Sequence, residues 1–392
     1  MRLENCTSIE DGAGGFGFIT GNRGDAAVTG TMVFDRCVVR RSASAGFLIS
    51  DNPTHGCAIT VKDCVIENAA ADSPLQAPIM FMSRSGAADP VGNVAFSNVI
   101  VRDRLDRAPM QYVDGGGGVP LGGISGELIV VHDGGRETIA LTHDVLASWM
   151  PQIALKQIPH VDISGMEFHP VADLPPTDTG AIRLARFRNA ADLIAYATKG
   201  DTVEFTVRHG QVGKYAGSPV TVRVTSPTDE AVLDTSGEAF ADTPMSFAAS
   251  TTGTYRIRID AGANWGQVAD SSHPMLLTSA GQAIRLYLSP GDYYIWVPEK
   301  TADFGVRVFG EGTGEGVKAT LIDPAGTVFE QVDNMAQTHQ FEVSLPPGAQ
   351  GQVWTLRLER PSQIAMEDHY VDIRGIPPLL APSEGSLLKP VK

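Results

Sequence analysis

The chain has 392 residues and a formal charge of −15; 43% of its residues are hydrophobic and 19% charged. A chain this long suits two or three domains, and it is too apolar to be disordered. The acidic balance repels a phosphate backbone and excludes nucleic acid as a partner, and no apolar run reaches the roughly 18–20 residues of a membrane span.

Abundant glycine (42) and proline (25) point to many short strands joined by turns. From Met1 the chain enters Arg2-Leu3-Glu4-Asn5-Cys6, which reads as a strand rather than a signal peptide. The same frame (apolar, any, apolar, polar, turn residue, apolar restart) returns in Met32–Val39, Ile59–Ile66 and Val94–Val101. Looser copies run through 125–130 and 161–166. The restart position holds Cys6, Cys37, Cys64, Val99, Leu128 and Met166. Such coils cannot bury an apolar face singly, and stacked copies bury a continuous core. Cysteine serves there as a small hydrophobe, so the four cysteines (Cys6, Cys37, Cys57, Cys64) are expected as free thiols.

Each coil carries a second strand: Phe16–Thr20, Phe47–Asp51, Ile79–Arg84, Met110–Asp114 and Ile139–Asp144. A short helix is expected around Asp144–Met150. The restart positions are spaced 31, 27 and 35 residues apart, so loops of variable length project from one side, where solenoids often bind ligand. This stretch, residues 1–170, resembles the right-handed parallel β-helix repeats of pectate-lyase-like proteins. The resemblance implies polysaccharide lyases, glycoside hydrolases, adhesins or phage tailspikes. It also implies an extracellular or cell-surface location and a chain whose front coils are missing.

After the Pro-rich stretch 169–178 the pattern becomes alternating strands with turn signals, as in antiparallel sandwiches. Lys199–Phe205 echoes Pro290–Trp296, Val222–Pro227 echoes Ala319–Pro324, and Thr254–Ile259 echoes Val353–Leu358, at offsets of 91, 97 and 99 residues. Two copies of one module are expected, at 171–268 and 269–392. They resemble the jelly-roll or prepeptidase-C-terminal-like modules of secreted hydrolases. The fold class is therefore all-β, a short β-helix followed by two β-sandwiches.

No GxSxG, HExxH, CxxC or P-loop pattern fixes a reaction. Aligning the second strands brings Asn22, Asp51, Arg84, Asp114 and His143 with Asp144 to their ends. Stacked at about 4.8 Å per coil, Asp51, Asp114 and His143 are acid or base candidates, with Arg84 as charge stabiliser. Glycoside hydrolysis needs paired carboxylates, whereas uronate elimination needs a base beside a cation. Asp and Asn also end strands simply because they favour turns. Arg102, Arg104 and Arg107 form a local basic run suited to an acidic glycan, or a solvated loop with internal ion pairs. Trp265, in a loop context, is a candidate to stack on a sugar; Trp296 and Trp354 read as core. The expected partner is a glycan. No cofactor is implied beyond calcium, which β-helix lyases use. A non-catalytic surface or adhesion protein is the alternative, and a phage-type fibre would be trimeric.

Overall fold

The computed structural model describes residues 1–12, 14–19, 29–50, 56–71, 76–83, 92–114, 123–132, 135–150, 155–172, 174, 184–311 and 315–391. The chain is all-β, with parallel strands in its first part and antiparallel strands in the rest. It divides into two compact units. One comprises Met1–Leu155 with Glu311–Gly314 and Ala336–Thr338; the other holds the remainder. The division falls at Leu155/Lys156, not at the expected 170. Among the described residues no helix is long and apolar enough to cross a membrane.

The first unit is a parallel β-helix. Its coils are β1 (Arg2–Glu4), β2 (Thr7–Ile9) and β3 (Phe16–Ile19); β4 (Thr31–Asp35), β5 (Val38–Arg40) and β6 (Phe47–Ser50); β7 (Ala58–Lys62), β8 (Val65–Glu67) and β9 (Ile79–Ser83); and β10 (Val94–Arg102) with β11 (Met110–Asp114). Successive coils pair in parallel register: Leu3 against Phe34, Phe34 against Val61, and Val61 against Phe96. The turn between the first two strands uses left-handed backbone at Asn5, Arg36, Asp63 and Asn98 (φ 50–56°). Polar side chains tolerate that conformation and bridge the coils. Arg36 Nε donates to Asn5 Oδ1 at 3.0 Å, and Asn98 Nδ2 to Asp63 Oδ1 at 2.8 Å.

The restart position points inward at Cys37, Cys64, Val99 and Leu128, which are fully buried, whereas Cys6 is half-buried and Met166, in the second unit, is exposed; all four cysteines are free thiols. Burial pushes the Cys64 thiol up to about 12, so it stays protonated and inert.

The solenoid ends earlier than its pattern suggested. β12 (Ile124–His132) adds to β10 in parallel, but β13 (Gly135–Ala140) turns back antiparallel on β12. Ile139–Asp144 is therefore not a further second strand. Thr142 caps α1 (His143–Trp149), its hydroxyl accepting from Val145 N at 3.3 Å. Leu141, Leu146 and Met150 close the end of the core. The helix expected at 144–150 is present, and it displaces the strand expected beside it. Residues 161–166, read as another coil, form no strand and belong to the second unit.

The second unit opens with β14 (Phe168–Pro170), within the stretch expected to be a linker. It then holds two copies of one antiparallel module. The first is β15 (Phe187–Ala197), β16 (Thr202–Gly210), β17 (Val220–Thr225), β18 (Ala231–Gly237), β19 (Asp242–Ala248) and the long β20 (Gly253–Ser271). Two short strands follow, β21 (Met275–Thr278) and β22 (Ile284–Tyr287). The second copy is β23 (Gly291–Val297), β24 (Asp303–Gly310), β25 (Val317–Ile322), β26 (Val328–Met335), β27 (His339–Ser344), β28 (Gln352–Glu359) and β29 (Asp368–Arg374). β30 (Leu379–Leu380) and β31 (Leu388–Pro390) end the chain, β31 pairing with β14.

The strand order β18-β17-β20-β15 recurs as β26-β25-β28-β23, and β19-β16-β20 as β27-β24-β29. The register recurs too. Val222 faces Thr235 and Ile259, and Ala319 faces Val332 and Leu358. A bulge interrupts both copies at the same step, between Val224 and Thr225 and between Leu321 and Ile322. Two of the three sequence echoes are thus structural equivalences. The third is not: Lys199–Phe205 leads into β16, whose counterpart is β24, while Pro290–Trp296 covers β23, the counterpart of β15. The copies share a twelve-stranded sheet and one hydrophobic core running from Leu184 to Leu380, and the expected boundary at 268/269 falls inside β20.

Candidate functional site

Of the expected catalytic column, Asn22, Asp51 and Arg84 lie outside the described residues. Asp114 ends β11 and stands opposite Ser83. His143 opens α1 instead of ending a strand; it is exposed and 3.4 Å from Asp144, which is exposed as well.

The basic run splits into different roles. Arg102 is exposed at the end of β10, in register with Glu67, which pairs with Arg40 at 3.1 Å. Arg104 is exposed, its backbone N–H donating to Asn68 Oδ1 at 3.1 Å. Arg107 is turned inward. Its guanidinium holds the buried Asp103 at 2.6 Å and donates to the carbonyls of Ala69 at 2.7 Å, Ala70 at 3.0 Å and Gln76 at 2.5 Å. It clamps the preceding coil's loop and is not a free glycan contact. Trp265 is also corrected. It lies within β20, not in a loop, over Gly210, where a Cβ would meet the ring at 2.0 Å. The Arg186 guanidinium sits 4.5 Å from its ring centre. A cation already stacks on the ring. Trp354 is core as expected; Trp296 is only half-buried.

A ligand-sized cavity lies elsewhere, on the outer face of the first sandwich copy. Alternation sends Leu193, Ala195, Val222, Val224, Ile257 and Ile259 into the core. The same alternation sends Asp192, Arg223, Thr225, Arg256 and Arg258 outward. These residues floor a groove of about 730 Å³, walled by 162–168 and by Thr278, Ala280 and Gly281. That volume is within the range of ligand pockets. A smaller depression of about 370 Å³ on the β-helix, around Thr60, Asn93 and Ser125, carries no charged lining residue.

Three guanidiniums and four carboxylates line the groove. Arg258 Nη1 binds both Asp192 oxygens at 2.8 and 2.9 Å, and Arg256 pairs with Asp229. Asp162 accepts from Ser164 N at 2.9 Å, which holds its carboxyl below the usual carboxylate range. Glu167 meets His169 at 2.9 Å. Arg223 is exposed and has no ion-pair partner among the described residues, and its cross-strand neighbours are Arg258 and Asp234. Sequence reasoning noticed these strands as repeats but missed them as a site. The available signal was arginine at alternate, outward positions of two strands that share the same repeat. Among the described residues no group of three His, Cys, Asp or Glu is placed to hold a metal ion.

No family model matches the chain, and no curated protein matches it. Among solved structures it is similar to a protein of Pantoea stewartii, WceF, described as a glycan biofilm modifying enzyme with a bacteriophage tailspike-like parallel beta-helix fold. The identity is 11% and the TM-score 0.13; the match covers 69% of this chain and 38% of that one. The chain thus spans well under half of that protein, and so low a score carries no functional argument. The architecture stands on the strand pairing itself.

Proposed function

We propose that this protein binds polysaccharide, with an acidic glycan as the favoured class. The observation that carries the reading is the groove on the first sandwich copy. It is a ligand-sized cavity lined by hydroxyls, three guanidiniums and four carboxylates, on a chain whose overall charge is −15. Arginine recognises carboxylate bidentately, and Arg223, which has no ion-pair partner among the described residues, is the group that favours an anionic ligand there. An extracellular or cell-surface location accords with such a ligand.

Lyase-like or glycosidase-like cleavage on the β-helix is the finer reading. Elimination needs a base for the α-proton and a cation for the substrate acid. Of the residues expected to supply these, Asp114 stands on a described strand end. A panel of acidic and neutral polysaccharides tests both levels. Retention of acidic glycans in affinity electrophoresis is the expected result, and preference for neutral glycans overturns it. Ultraviolet absorbance of unsaturated product, lost in Asp114→Ala, marks a lyase. New reducing ends without that absorbance mark a hydrolase, and binding without product marks the non-catalytic surface protein.

A further inference from the structure

We infer that the groove reads a single, isolated acid group anchored by Arg223, so that its ligand is a sparsely charged acidic heteropolysaccharide and not a polyuronate or a densely sulfated chain. This rests on the polysaccharide reading above and adds which acidic glycan the site accepts.

The second sandwich copy provides an internal reference. Its Arg357–Asp292 pair, at 2.7 and 2.9 Å, occupies the cross-strand position of Arg258–Asp192. A pair present in both copies belongs to the scaffold. Arg223 and Arg256 do not recur: register places Thr320 and Thr355 at their positions. The loop residue Asp229, which pairs with Arg256, is replaced by Gly326 in the equivalent turn, where Ser226 N donates to Glu230 O and Asp323 N to Thr327 O. The module folds without Arg223 and Arg256, so they are additions to its outer face.

Their charges are not equivalent. Asp192 neutralises Arg258 and Asp229 neutralises Arg256. Arg223 lies across from Arg258 on one side and Asp234 on the other and forms no ion pair among the described residues, and like charges facing across a strand pair are unfavourable. A carboxylate placed between the two guanidiniums would relieve that repulsion and supply the charge Arg223 lacks. Asp162, Glu167, Asp192 and Asp229 also line the cavity and repel further anions. Ser164 and Thr225 present hydroxyls beside them, suited to the neutral sugars flanking one uronate.

The test is calorimetric titration of the whole chain with three oligosaccharides of equal length. The first derives from a heteropolysaccharide with one glucuronate per repeat, the second is the same material after carboxyl reduction, and the third is a homopolyuronate. Tightest binding is expected for the first. Carboxyl reduction and Arg223→Gln are each expected to weaken it by about tenfold or more, with Arg223→Lys recovering part of the loss. Arg223→Gln should also abolish discrimination between native and carboxyl-reduced ligand, and the salt dependence should be shallow, because isolated charges are only screened. An unchanged circular-dichroism melt shows that the variant folds. Tighter binding of the homopolyuronate with a steep salt dependence overturns the single-anion inference alone, as does full affinity in Arg223→Gln. Absence of binding to every glycan overturns the polysaccharide reading itself, and this inference with it.

Discussion

The two sandwich copies share strand order, register and bulge, yet differ in how their outer faces are used. In the second, Tyr294, Trp296 and Val353 pack against Leu379, Ala381, Leu387 and Leu388. Tyr294 and Ala381 exchange two backbone hydrogen bonds at 2.9 Å. The chain's own end closes that face. The same cluster takes in Ile194 and Tyr196, the equivalent positions of the first copy, and only beyond them does that copy's face open into the groove lined by Arg223, Arg256 and Arg258. The interior pattern is what the module needs to fold, and the exterior was free to diverge. The interiors also differ. A buried histidine faces a glycine across the same strand pair in each copy, but on opposite strands: His209 against Gly266, and His369 against Gly310.

The largest expected effect tests whether the copies are separate domains. Tyr255 and Trp354 occupy equivalent core positions. Tyr255 packs on Phe247 with ring centres 5.0 Å apart, and its hydroxyl donates to Thr251 O at 2.8 Å. Tyr255→Ala and Trp354→Ala should each cost about 3–5 kcal/mol. Because one core spans both copies, urea unfolding of the second unit should remain a single transition. A split in which Tyr255→Ala lowers only one step would show two independent domains.

Next comes pH. Burial lowers the His369 pKa to about 4, and burial lowers that of His209 as well. Both are depressed in the folded state, so the unfolded chain binds more protons. Stability is fully present above the unfolded value near 6.5 and is lost as pH falls toward the folded value. For His369 the loss amounts to about 3 kcal/mol by pH 4. Thermal melts from pH 7 to 4 should show the decline, and His369→Gln should flatten it more than His209→Gln. Equal slopes in all three proteins would show that neither histidine governs the acid limb.

The smallest effect separates scaffold from site. Arg258→Ala and Arg357→Ala each remove an exposed pair and should cost at most about 1 kcal/mol of stability. Only Arg258→Ala should weaken glycan retention. Equal weakening in both variants would place the binding face outside the first copy's groove.

Much of the architecture was legible locally. The strand frame, the inward Cys37–Cys64 ladder, the helix near 144–150 and two of the three module echoes all rest on periods of a few residues, or on short segments repeated whole. The errors arose where two local signals competed or where a partner lay far away. Ile139–Asp144 alternates like a strand, but the Thr142 cap and the apolar spacing of Leu146 and Met150 close the solenoid with a helix instead. The Gly-Asp echo matched turn chemistry, whereas register assigned β16 to β24.

The site was the least legible part. Arg107 became a clamp because its partners are carbonyls of the preceding coil, and Trp265 became covered because Arg186 and Gly210 are brought beside it by strand pairing. The sequence by itself determined which positions alternate inward and that one module occurs twice. Tertiary structure decided which outward face stays open. Exposure depends on what chain packs there: the C-terminal segment joins a cluster with Ile194 and Tyr196 of the first copy and with Tyr294 and Trp296 of the second, while Arg223 of the first stays exposed.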